Sequence, residues 1–304
     1  MPPKRNVKHE SEGTPRRSKR LRLVRDDSVL AAGASNLRLS SGSGDSYDLD
    51  DLPSSASLFK NSHIEVLRVR VNPASAESDV IPTVEVLGNP EFDVEDIDEI
   101  TNKKVRTFFA NLHDVVINGM QVVGTDETFT DTLVDGLLRI VELNDWPLRV
   151  RNHPFCILDI ADSRVSSDPG FVIKKRKIIV VVVVEDKHLR NVRPNNGFGE
   201  SQISVEILAC ANENMRKEEY QYRDQTLWAI RTISHYVTFY KADIPAEYWR
   251  ELDDGVPQSQ SVEVQRWPRE NTLLSGFDLA QPAGRRAVLK ALVQIRELLL
   301  QDDD

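Results

Sequence analysis

Ile178-Ile179-Val180-Val181-Val182-Val183-Val184-Glu185-Asp186-Lys187 is the stretch whose reading decides the fold. Seven β-branched residues in a row make a poor helix, because two heavy atoms on Cβ restrict χ1, and they suit a pleated strand. A strand apolar on both faces must be covered on both. It is therefore expected at the centre of a sheet with layers above and below. The run is far shorter than the about 20 apolar residues a membrane helix needs. The chain also opens on polar and basic residues, not on a secretory leader. These features predict an intracellular protein with no membrane partner.

The neighbours of this strand extend the pattern. Lys174-Lys175-Arg176-Lys177 reads as a basic turn, so Phe171 to Ile173 is expected to pair with the strand as a hairpin. Pro154 to Ile160 reads as a further strand. Helices are expected from about Asp93 to Ile117, from about Thr125 to before Asn144, from Glu200 to Met215 and from Pro282 to Leu300, each with an apolar stripe near 3.6-residue spacing. In the Glu200 helix that stripe is Ile203, Ile207, Leu208, Cys210 and Ala211. Thr226 to Ile233 and Tyr236 to Tyr240 look like a second hairpin, and Ser261 to Trp267 like a short strand. Ile64 to Val71 alternates and reads as a strand. This order predicts an α/β (α+β) protein with a mixed central β-sheet flanked by helices.

Charge is unevenly spread. Residues 1–25 hold nine Lys and Arg against two Glu, a net +7, which leaves −16 on the rest of a chain whose total is −9. An acidic body does not imply a broad duplex-binding face. Residues 1–56 are rich in Ser, Gly and Asp and are expected to be a disordered tail. Within them Pro15 to Arg22 is a basic cluster, readable as a nuclear address, a nucleic-acid arm or a solvated tail. Residues 57–124 are expected to pack as a strand and helix on a main domain spanning 125–301. The two cysteines, Cys156 and Cys210, sit in apolar runs and read as small buried thiols. The six histidines show no pair at zinc-ligand spacing.

The chemistry lies at the exit of the apolar strand. Side chains alternate, so Glu185 and Lys187 are expected on one side and Asp186 on the other. A carboxylate and an ammonium leaving a buried strand suit a hard divalent cation, Mg²⁺ or Mn²⁺, which takes carboxylate, water and phosphate oxygens. Asp168, before the preceding strand, is the candidate second carboxylate. Glu127 at the start of one helix and Glu200, Gln202 and Glu206 on another are further candidates. The alternative is a strand simply running out into a charged loop.

Taken in order, Thr125-Asp126-Glu127, Pro169-Gly170-Phe171-Val172-Ile173, Val183-Val184-Glu185-Asp186-Lys187, Gln202 with Glu206-Ile207-Leu208-Ala209, and Phe239-Tyr240-Lys241 resemble the PD-(D/E)xK nuclease superfamily, and within it a fungal set of proteins. The resemblance spans roughly residues 125–300. It implies a restriction-endonuclease-like core and Mg²⁺-dependent hydrolysis of DNA or RNA. Glu185 would be a metal ligand, Lys187 the catalytic lysine, and Glu127 and Gln202 supporting residues. The sequence departs from the pattern at Gly170, where Pro-Asp is expected. Either a bend returns Asp168 to the site as a metal ligand, or the domain is a non-cleaving interaction module.

Overall fold

In a computed structural model, residues 52–86, 92, 97–120, 128–186, 194–219, 221–272 and 274–301 are described. Residues 46–304 form one compact unit. Its strands are β1 (Val69–Pro73), β2 (Leu148–Asn152), β3 (Cys156–Ile160), β4 (Ser163–Ser167), β5 (Phe171–Lys175), β6 (Ile178–Asp186), β7 (Gln225–Ile233), β8 (Tyr236–Ile244), β9 (Val262–Trp267) and β10 (Phe277–Asp278). Its helices are α1 (Asn61–Val66), α2 (Lys103–Met120), α3 (Thr128–Ile140), α4 (Glu200–Lys217), α5 (Ala246–Asp254) and α6 (Pro282–Gln301).

β6 lies inside a mixed eight-stranded sheet of order β1-β9-β8-β7-β6-β5-β2, with β10 added to β8. It runs antiparallel to β5 and parallel to β7, with α4 as the crossover. Val182 and Val184 join a core formed with α4, α5 and the separate two-stranded ribbon β3–β4. Val181 and Val183 join the opposite core, formed with α2, α3 and α6. All four are at most 2 % exposed. The apolar run is thus covered on both faces, as its composition requires.

The expected β5–β6 and β7–β8 hairpins are present. Several elements differ from expectation. Ile64–Val71 is not one strand. It divides into α1 and β1 at Arg68, whose φ of +52° turns the chain so that Val69–Pro73 pairs in parallel with β9. The tail boundary at residue 56 also falls late. Ser166 donates its N–H to the Ser54 carbonyl at 2.9 Å, and Ala56 is buried. β2, β4 and α5 carry weak sequence signals and were not expected. α4 is buried nearly all round and not along one stripe. The β3–β4 ribbon and α1 cover the side that a surface helix would give to water.

One polar hook fixes α4 to the sheet. The β5–β6 register shifts after Ile173–Val181, so that Lys174 pairs with Ile179 and Val180 is the extra residue. Asn214 of α4 meets the shifted backbone. Its Oδ1 accepts the Ile179 N–H at 2.7 Å, and its Nδ2 donates to the Ile179 carbonyl at 2.8 Å. Nδ2 also donates to Gln225 Oε1 at 3.2 Å. Asn214 is 1 % exposed, so no water replaces these bonds when the side chain is lost. Asn214→Leu is expected to lower unfolding free energy by about 2–4 kcal/mol, since it strands two buried backbone groups. Urea titration with an unchanged m-value checks this, and a loss below about 1 kcal/mol contradicts it.

Candidate functional site

The site expected from the sequence lies where β6 leaves the sheet. Glu185 and Asp186 end the strand, paired with Thr232 and Ile233 of β7. They follow Val181 to Val184, which alternate between the two cores. Lys187 and Glu127 lie outside the described residues. Gln202 sits in the first turn of α4, where its Nε2 donates to Glu206 Oε1 at 2.7 Å. Glu206 is buried. Gln202 and Glu206 are therefore locked to each other, one helical turn apart.

Asp168 is exposed, in the link between β4 and β5, and belongs to neither strand. Phe171 pairs with Val183 and Val172 with Val182, and the ladder between β5 and β6 reaches no further back than Phe171. The Gly170 carbonyl accepts the His153 N–H at 2.8 Å, which extends the β2–β5 pairing by one residue. The described ladder therefore does not bring Asp168 opposite Glu185.

Another carboxylate lies on α3, beside the end of β2. Asp131 of α3 approaches His153, with Oδ2 4.0 Å from Nε2. The His153 ring lies 6.2 Å from that of Phe171, the residue paired with Val183. Asp131 Oδ1 is buried and has no hydrogen-bond partner among the described residues. Sequence reasoning missed Asp131. Its one signal is an acidic side chain in the first turn of a helix, which has an ordinary electrostatic explanation.

On the α4 face the same strand ends hold a buried charge network. Arg266 of β9 forms an ion pair with Glu200, and its Nη2 donates to the Arg269 carbonyl. Arg231 of β7 lies over the Tyr240 ring, 5.6 Å from its centroid. Arg231 donates to the Phe198 carbonyl, and to Asn271 Oδ1 at 3.3 Å. Asn271 in turn donates to the Gly197 carbonyl at 2.9 Å. Burial holds the Glu200 carboxyl above its ordinary range, against the opposing pull of Arg266 and then Arg231. The network anchors the 3-10 turn Pro194–Gly199 and the start of α4 to β7 and β9. Gly197 is required in that turn. It has φ +58°, and a Cβ there would lie 3.1 Å from Asn61 Oδ1.

A third polar group lies at the β7–β8 turn. Ser234 Oγ is 3.1 Å from His235 Nδ1, and His235 Nε2 is 3.5 Å from Asp278 Oδ1. Ser234 is only 6 % exposed, and Asp278 Oδ1 already accepts the Ala280 N–H. The three fasten the turn to β10 and do not form a nucleophile relay. Among the described residues no group of three or more His, Cys, Asp or Glu side chains is placed to hold a metal ion. No helix among them is long and apolar enough to cross a membrane. No protein-family model matches the chain, and no curated protein shows significant similarity to it.

Glu200→Ala removes the ion-pair partner of buried Arg266 and a carboxylate that acts on Arg231, and is expected to cost about 3–5 kcal/mol of stability. The pair replacement Glu200→Leu with Arg266→Met is expected to cost less than Glu200→Ala alone, because it removes both charges together. Denaturant unfolding of the three proteins checks the order. A double variant less stable than the single one contradicts it.

Proposed function

We propose that this protein is a metal-dependent nuclease-like protein that hydrolyses phosphodiester bonds of DNA or RNA at the end of β6. The observation that carries the reading is the placement of an acidic strand end. Glu185 closes a fully covered central strand, between the hairpin partner β5 and the crossover helix α4. A helix, a hairpin strand, the Glu-x-Lys strand and a Gln-bearing helix follow one another in the order that the PD-(D/E)xK resemblance implies.

The donor chemistry suits a hard cation. Glu185 would supply carboxylate oxygen, and Asp131, whose buried Oδ1 has no partner among the described residues, is a further candidate carboxylate. Asp168, the second ligand expected from the sequence, is exposed in the β4–β5 link, outside the ladder that pairs β5 with β6. A divalent cation held here would polarise the phosphoryl group and lower the pKa of a bound water. Lys187 would orient that water and offset charge that develops on the phosphoryl oxygens. Gln202, fixed by Glu206, would position substrate or solvent from the α4 side.

One observation favours a second reading, a non-cleaving interaction module on the same fold. Gly170 supplies no carboxylate from β5, and the body of the chain carries −16. A fold does not determine a function by itself. The basic cluster that reads as a nuclear address or a nucleic-acid arm lies outside the described residues.

Incubating the purified chain with DNA and RNA in Mg²⁺ or Mn²⁺ separates the two. The first reading expects cleavage that falls by at least about a hundredfold in Glu185→Ala and in Lys187→Ala. Cleavage unchanged in both variants removes the site assignment. Absence of cleavage, with no calorimetric Mg²⁺ or Mn²⁺ binding that needs Glu185, establishes the second.

A further inference from the structure

The molecule's two cysteines come from separate elements and meet. Cys156 opens β3 and Cys210 lies in the middle of α4. Cys210 Sγ is 3.7 Å from Cys156 Sγ and donates its S–H to it. Both are free thiols, 1 % and 0 % exposed. We propose that Cys156 and Cys210 are a peroxide-oxidisable pair that closes to an intramolecular disulfide, tying the β3–β4 ribbon to α4.

Three features support this. The first is geometric. The sulfurs must approach by roughly 1.7 Å to reach a disulfide bond of about 2.0 Å, a shift within reach of side-chain rotation with little backbone movement. The second is electrostatic asymmetry. The hydrogen bond from Cys210 draws the Cys156 thiol below its ordinary range, with Lys217 and Lys174 nearby. Burial pushes the Cys210 thiol well up. Cys156 is thus the sulfur that forms the thiolate, and the thiolate is the nucleophile. The third is a route of access. Cys156 follows the exposed Phe155 at the root of a two-stranded ribbon that stands apart from the main sheet.

The chemistry balances with hydrogen peroxide as the oxidant. The Cys156 thiolate attacks one peroxide oxygen and the O–O bond breaks, leaving Cys156 sulfenic acid and a hydroxide that takes up a proton. The Cys210 sulfur then attacks the sulfenic sulfur, the S–O bond breaks, and the Cys210 proton leaves with the oxygen as water. Two thiols and one peroxide yield one disulfide and two waters. The inference does not depend on the nuclease reading. It concerns the helix that carries Gln202 and Glu206, but its readout is covalent.

The full chain is treated with hydrogen peroxide at neutral pH, quenched, denatured, alkylated and weighed. The expected product has lost about 2 Da, takes up no alkylating reagent and yields a linked Cys156–Cys210 peptide. Dithiothreitol restores both thiols. The oxidised chain is expected to melt several degrees higher, because the cross-link restricts the unfolded state. Cys156→Ser is expected to keep Cys210 alkylatable under the same peroxide dose. Two alkylatable thiols after oxidation of the natural chain overturn the proposal. So does addition of about 32 Da per cysteine without a linked peptide, the mark of independent sulfinic acids. Because these readouts use the natural chain, they hold even where the Ser variant does not fold.

Discussion

The structure depends on the need to cover β6 from both sides. Val181 and Val183 enter one core, Val182 and Val184 the other, and neither face tolerates water. Burying a valine side chain contributes about 1.5–3 kcal/mol. Four such residues on one strand therefore supply several kcal/mol whose source is two separate layers. That requirement sets the positions of the other parts. α4 must lie on one side, and α2, α3 and α6 on the other. β5 and β7 must flank the strand in the sheet, so that its backbone groups are paired.

The same constraint explains where polar groups collect. Inside the covered stretch the polar hook is Asn214, which meets backbone displaced at the Val180 bulge. Beyond that stretch, buried charges collect where the start of α4 meets β7 and β9, in the Glu200–Arg266–Arg231 network. Such groups persist in a protein when they are paired or when they serve a function. Arg231 and Arg266 belong to the first kind. Asp131, whose inner oxygen has no partner among the described residues, is a candidate for the second.

Much of the architecture was legible in the sequence. The β-branched run announced the central strand and its double cover, and the basic Lys174–Lys177 turn announced the hairpin. What stayed hidden was set by partners distant in the chain. β2, written Leu148-Arg149-Val150-Arg151-Asn152, looks like a polar loop until β5 is beside it. α1 and β1 share one alternating stretch, and only the turn at Arg68 divides them. α4 looked amphipathic because the ribbon that buries its outer side carries no strong strand signal in β4. The contact of Cys156 with Cys210 follows from that same unforeseen packing. In the candidate site, Glu185 at the strand end was readable from residue order. The placement of Asp168 outside the β5–β6 ladder was not, since the extent of a ladder is a long-range property, and Asp131 had no motif to mark it.

The divalent-cation site proposed at the end of β6 can be sought by anomalous diffraction from crystals grown with Mn²⁺. One strong peak is expected about 2.1 Å from a Glu185 carboxylate oxygen, with loss of that peak in Glu185→Ala. A crystal saturated with Mn²⁺ that shows no peak at Glu185 contradicts it.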